Sequence, residues 1–178
     1  EAIASTYIFP ISPNKIPKIK EAPKTTPKIT TEAKTGFYLT IPVLGVSAPI
    51  IFEPTTVEDR IYKQLEKGIV HYAETPRPGQ AGTAIILGHS SVYPWYKGKY
   101  GYIFSSLSKL KNGDMIKVEK DGIPLNYRVS NSLTFSPQTT DDYQLRGLED
   151  TNGSSIVLMT CWPNGTNAKR IAVRADLI

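Results

Sequence analysis

Hydrophobic residues along this chain come in blocks of strand length, separated by turn residues. Phe37-Tyr38-Leu39-Thr40-Ile41 and the run 43–51 are β-type blocks punctuated by Pro42, Gly45 and Pro49, which predicts two paired edge strands. Gly68-Ile69-Val70-His71-Tyr72 predicts a brief strand, and Thr83-Ala84-Ile85-Ile86-Leu87-Gly88-His89 a core strand that ends in a histidine. Asn112-Gly113-Asp114 and Asp121-Gly122 are turn signals on either side of 115–119, and the second leads into a longer run over 125–135, so a hairpin is expected. Two stretches carry helical spacing instead. Val57, Ile61 and Leu65 follow a cap residue, Thr56, with Glu58 and Asp59 in the first turn; Ile103, Phe104, Leu107 and Leu110 predict a second short helix.

The most informative block is Ile156-Val157-Leu158-Met159-Thr160-Cys161-Trp162-Pro163. Four consecutive apolar residues suit a strand covered on both faces, and the only cysteine stands where that run stops, at a rim that Pro163 forces to turn. The next apolar block, Ile171-Ala172-Val173, is bounded by Arg170 and Arg174, so a short return strand would begin with a guanidinium close to the sulfur. The polar stretch 136–153, which contains Asp141, Asp142, Glu149 and Asp150, precedes the cysteine strand as a long loop, and loops of that length in compact domains are often functional.

Composition sharpens this picture. The 178 residues suffice for one domain with a real core, and ten Tyr with fourteen Pro favour strands and loops over helix. Residues 1–36 differ from the rest: Pro, Lys and Thr with scattered Ile predict an extended tail or stalk, and 37–178 the folded domain. Some thirty residues of such chain at about 3.1 Å each would reach roughly 90 Å. The formal charge is +5, of which the tail supplies +3, so the folded part is nearly balanced and a nucleic-acid partner is not expected. One cysteine excludes an intrachain disulfide, and two histidines offer no zinc-type cluster. With no apolar run of 18 residues, any membrane attachment is expected through an anchor outside this sequence.

A lone cysteine is by default a small buried hydrophobe. A thiol becomes a useful nucleophile when a nearby cation stabilises its thiolate, and acyl transfer further requires an oxyanion donor and an acid for the leaving amine. Cys161, Arg170 and His89 supply those parts, imidazole being the group that exchanges protons near neutrality. Taken singly, His89 reads equally as a structural histidine and Arg170 as a solvated rim charge; their conjunction at the ends of neighbouring strands carries the argument.

At these residues the chain resembles the sortases, cysteine transpeptidases that attach surface proteins to Gram-positive cell walls or polymerise pilins. The resemblance covers roughly 37–178 and rests on Leu39-Thr40-Ile41-Pro42-Val43-Leu44-Gly45-Val46-Ser47-Ala48-Pro49-Ile50, Gly68-Ile69-Val70-His71-Tyr72, Pro78-Gly79-Gln80-Ala81-Gly82 and Leu87-Gly88-His89-Ser90. Leu110-Lys111-Asn112-Gly113-Asp114, Leu158-Met159-Thr160-Cys161 and Arg170 complete it in family order. It implies a mainly β fold, a closed eight-stranded barrel with a few short helices, and an enzyme located outside the cytoplasmic membrane. His89 would be the catalytic histidine, Cys161 the nucleophile and Arg170 the arginine that binds substrate carbonyls and the oxyanion. Thr160, Val157, Ser90 and Trp162 would contribute to substrate binding, with Thr160 shaping the oxyanion site.

His71 matches a second family histidine that is not catalytic. Val157 departs from the Thr that usually opens the family's Thr-Leu-x-Thr-Cys motif, and the tail lacks an Asp-Pro-Trp type lid, which speaks against a pilin polymerase. The implied partners are sorting-signal peptides of the Leu-Pro-x-Thr-Gly (LPxTG) type and an amine acceptor on a cell-wall precursor or pilin. The acids at 141, 142, 149 and 150 with Glu74 resemble the calcium site of some sortases, but a solvated acidic loop is the default and no cofactor is expected. Two other readings compete. An L,D-transpeptidase would carry a Ser-His-Gly-Cys motif, and no His directly precedes Cys161; a non-catalytic surface β-domain would keep Cys161 buried and inert.

Overall fold

The computed structural model describes residues 36–93, 96, 98–138, 148 and 153–178. The tail 1–35 and the acids at 141, 142, 149 and 150 therefore lie outside the described residues. Eight strands close into one barrel: β1 (Phe37–Ile41), β2 (Val46–Phe52), β3 (Ile69–His71), β4 (Gly82–Leu87), β5 (Met115–Lys120), β6 (Ile123–Phe135), β7 (Ser154–Trp162) and β8 (Lys169–Leu177), in the order β1-β2-β3-β4-β7-β8-β6-β5. The fold is thus the mainly β closed barrel expected. Closure also removes the expected edges, because β1 pairs antiparallel with both β2 and β5.

Alternation decides what fills the interior. Ile156 and Leu158 of β7, Ile171, Val173 and Ala175 of β8, Ala84 and Ile86 of β4 and Tyr127 and Val129 of β6 join one central cluster with Leu39, Ile41, Ile116 and Val118. The intervening residues Val157 and Ala172 pack in a second cluster on the outer face, together with Leu148, Ile85, Leu133, Phe135 and Met159. This is why β7 reads as continuously apolar: both its faces are covered. A bulge in β6, where Val129 pairs with Ala175 but Asn131 already pairs with Arg174, inserts one residue and reverses the facing. Tyr127 and Val129 therefore point inward while Leu133 and Phe135 join the outer cluster beside Arg170.

The one α-helix among the described residues, α1 (Glu58–Leu65), lays Ile61 and Leu65 on Val70 and Leu87. Its start differs from the sequence expectation. Val57 is the N-cap residue and makes no side-chain capping bond; the Thr55 hydroxyl accepts the Val57 N–H at 3.2 Å. The buried Glu53 carboxylate ties the helix down by accepting from Gln64 Nε2 at 3.0 Å and pairing with Arg60 at 3.0 Å.

The second expected helix, over 103–110, is instead a succession of turns with a 3₁₀ turn at Leu107–Lys109. Its periodicity was a true signal of burial, since Phe104, Leu107 and Leu110 are all in the core. The backbone closes i→i−3 bonds, such as Ile103 N to Tyr100 O and Leu107 N to Phe104 O, while the Phe104 N–H goes to the carbonyl of His89 at 2.9 Å. That long-range bond takes the donor an α-helix would need.

Candidate active site

The parallel pair β4 and β7 brings two chain ends to one rim. Leu87 stands beside Met159 in register, the Gly88 N–H donates to Met159 O at 3.1 Å, and the buried Thr160 hydroxyl donates to Gly88 O at 2.7 Å. The segment carrying His89 is thereby bonded to the two residues that precede Cys161. On the other side, β8 pairs antiparallel with β7 so that Cys161 lies directly opposite Arg170. Alternation places both on the outer face, because their neighbours Thr160 and Ile171 are the inward positions.

The electrostatics are those of a pair at rest. Burial pushes the Cys161 thiol above its ordinary value, and the Arg170 guanidinium beside it pulls partly back. Burial pushes the His89 imidazole below 6.5, with Glu66 opposing. Thiol and neutral imidazole are therefore the dominant forms near pH 7. The Arg170 residue is itself buried, and its Nη1 donates to the carbonyls of Asn167 and Lys169, both at 3.0 Å, which fixes the guanidinium against the β7–β8 turn. That turn is fastened in its own right: Gly165 N donates to Ser91 Oγ and Asn164 Nδ2 to Ser105 O, each at 2.8 Å.

The residues expected to bind substrate are placed less openly. Thr160 turns inward with its hydroxyl on Gly88 O, so at this rim it contributes backbone. Val157 is 1% exposed in the cluster with Leu148, Ser90 is 2% exposed, and Trp162 packs against the central core. The half-buried outer-face residues leading to the thiol are Ile85, Leu87 and Met159. Two side chains absent from the sequence reading border His89. Tyr62 of α1 stacks on its ring with centroids 6.3 Å apart, and Tyr96 meets it edge-on at 6.0 Å. The meeting of Tyr62 with His89 depends on how α1 crosses the sheet.

At the opposite rim, where β2 and β3 run out, Phe52, Glu53, His71, Glu74, Thr75, Arg77 and Gln80 line a cavity of about 370 Å³. His71 Nε2 lies 2.8 Å from Pro76 O and 3.2 Å from Thr75 Oγ1, and burial lowers its pKa. No group of three or more acidic, His or Cys side chains suited to a metal occurs among the described residues.

Comparison with known proteins gives these observations a context. A family model described as "Sortase domain" matches residues 39–178. Sortase A of Bacillus anthracis is 27% identical over 143 residues, which cover 79% of this chain and 58% of that protein, so the chain spans little over half the length of this curated relative. Sortase A from Corynebacterium diphtheriae superposes with a TM-score of 0.63 at 27% identity, covering 83% of this chain and 62% of that one. Sortase C-1 from Actinomyces oris, at 23% identity and a TM-score of 0.62 over 80% of this chain and 73% of its own, shares the fold.

Proposed function

This chain belongs to the sortase family, and from that premise we propose that it is a cysteine transpeptidase in which Cys161, His89 and Arg170 act on the carbonyl of a sorting-signal peptide. The supporting observation is the registry of Cys161 against Arg170 beside the strand end that carries His89. In the first step the Cys161 thiolate attacks the scissile carbonyl carbon, and the oxygen gathers charge that the fixed Arg170 guanidinium neutralises. Collapse expels the amine, to which the His89 imidazolium gives a proton, leaving a thioester. A primary amine then attacks the thioester, neutral His89 takes its proton, and the thiolate leaves. Because burial raises the thiol and lowers the imidazole, the thiolate–imidazolium pair is a minor population at neutral pH, and activity should peak between the two titrations.

The substrate class is an extended LPxTG-like signal laid along Ile85, Leu87 and Met159, and the acceptor is an amine on a cell-wall precursor or a pilin. A proline within the signal lowers the cost of straightening the peptide. The enzyme works outside the cytoplasmic membrane and is attached to it by a segment outside this sequence; among the described residues no helix is long and apolar enough to cross a membrane. Mass spectrometry of the protein incubated with a small library of sorting peptides tests the reading. A mass increase on Cys161 equal to the acyl portion, removed by hydroxylamine and absent from Cys161→Ala, is expected. An unmodified thiol with every peptide would overturn it and favour a non-catalytic surface domain.

A further inference from the structure

His89 must carry a proton to a fixed point, yet its imidazole makes no hydrogen bond to any described residue. It is located by rings instead. Tyr62, from the second turn of α1, lies nearly parallel to it, with an interplanar angle of 11°, and Tyr96 stands edge-on at 75°. Both centroid separations, 6.3 and 6.0 Å, are within the roughly 4.5–7 Å of interacting aromatic pairs.

Tyr96 is itself seated. A Cβ on Gly101 would stand 2.8 Å from Tyr96 Cε1 and 2.5 Å from Val92 Cγ2, and one on Gly98 would collide with the tip of the same ring, so both glycines make room for it. The Tyr96 N–H closes a turn onto Tyr93 O at 2.9 Å. By contrast its hydroxyl is buried without a hydrogen-bond partner among the described residues, so the ring, and not the hydroxyl, accounts for its place.

We propose that Tyr62 and Tyr96 are positioning residues that clamp the His89 imidazole between α1 and the loop after β4, with neither ring nitrogen hydrogen-bonded to a described residue. The clamp rests on the reading of His89 as the proton carrier. It serves two ends. The ring is confined in orientation without a hydrogen bond from any described residue occupying a nitrogen, and it is shielded from water, which holds the imidazole neutral at rest. The groups around it are Tyr62 and Glu66 from the α1 side and Tyr96 from the loop.

The test compares Y96A, Y96F, Y62A and G101A in the full chain, with the acylation rate on a sorting peptide followed against pH and the His89 titration followed by NMR. Y96A and G101A should each slow acylation by about tenfold, since small misplacements of a catalytic group cost up to about a hundredfold, with KM changed by less than about twofold. Both should move the acid limb of the rate profile and the His89 titration upward as water reaches the ring. Y62A should act in the same direction, and Y96F should restore most of the rate and the wild-type titration. A Y96F enzyme as impaired as Y96A, or a His89 titration unmoved in both Y96A and Y62A, would overturn the clamp. The NMR measurement needs no turnover: if wild-type protein forms no thioester, the transpeptidase reading fails while the clamp is still decided by the titration.

Discussion

The molecule holds two histidines close in sequence, and the barrel uses them in opposite ways. His71 ends β3 on the inner side, against the ring of Phe52 at 4.9 Å, and its Nε2 meets Pro76 O and Thr75 Oγ1 in the loop that follows. Its Nε2 is engaged by the fold. His89, just past β4 on the thiol rim, is gripped by two aromatic rings and has no such bond among the described residues. Burial pushes both imidazoles below 6.5, so the pKa direction alone does not tell them apart. On the proposed reading, what separates the structural His71 from the proton carrier His89 is that a ring nitrogen of His71 is already engaged by the fold.

The sharpest way to break that contrast is to remove each ring. His89→Ala should cut the acylation rate by about 10²–10⁴ while the protein stays folded, because a general acid is lost. His71→Ala should keep the rate within a few-fold and lose about 1–3 kcal/mol of stability in denaturant unfolding, as the Pro76 carbonyl loses its donor. A folded His71→Ala protein with abolished acylation would erase the distinction. Next in size is Arg170→Lys. A point charge cannot keep the two bonds to Asn167 and Lys169 while serving an oxyanion, so stopped-flow acylation should fall by about a hundredfold. An unchanged rate would remove Arg170 from the chemistry.

A third substitution reaches the rim from behind. A Cβ on Gly88 would meet the buried Phe104 ring, so Gly88→Ala should cost about 1–3 kcal/mol by overpacking and disturb the His89 side alone. Unfolding and NMR shifts at His71 and His89 would show whether the strain stays local. The smallest effect is on pH. Since both folded imidazoles titrate below the unfolded value of 6.5, the unfolded chain binds protons first; their share of stability is present above pH 6.5 and is lost as pH falls through the folded values. Melting temperatures should decline from pH 7 to 5, and His71→Gln should flatten part of that decline. A steeper decline in His71→Gln would reverse the assigned sign.

Much of the site was legible in the chain because it depends on local pattern. The apolar run ending at Cys161, the strand leading to His89, which stops two residues short of it at Leu87, and the arginine opening the next block are each readable near strand ends, and strand alternation alone puts Cys161 and Thr160 on opposite faces. The α1 helix was legible from the spacing of residues 57, 61 and 65, and the burial of Phe104, Leu107 and Leu110 from theirs. Their backbone was not, because the Phe104 N–H is claimed by His89 from fifteen residues away, and a periodicity records which side chains are buried without recording where the amide bonds go.

Only the closed barrel decided the rest. The extra residue in β6 turns Leu133 and Phe135 to the outer cluster, a switch of facing set by pairing with β8 and invisible in β6 by itself. Val157 carries no sign in the sequence that Leu148 will cover it, and Tyr62 and Tyr96, 34 positions apart, meet His89 only because α1 packs on β3 and β4 while the following loop folds back over the rim. Sequence patterns determine which face a residue takes within its own element; which faces meet depends on register, closure and crossing, and those are set by contacts between residues far apart along the chain.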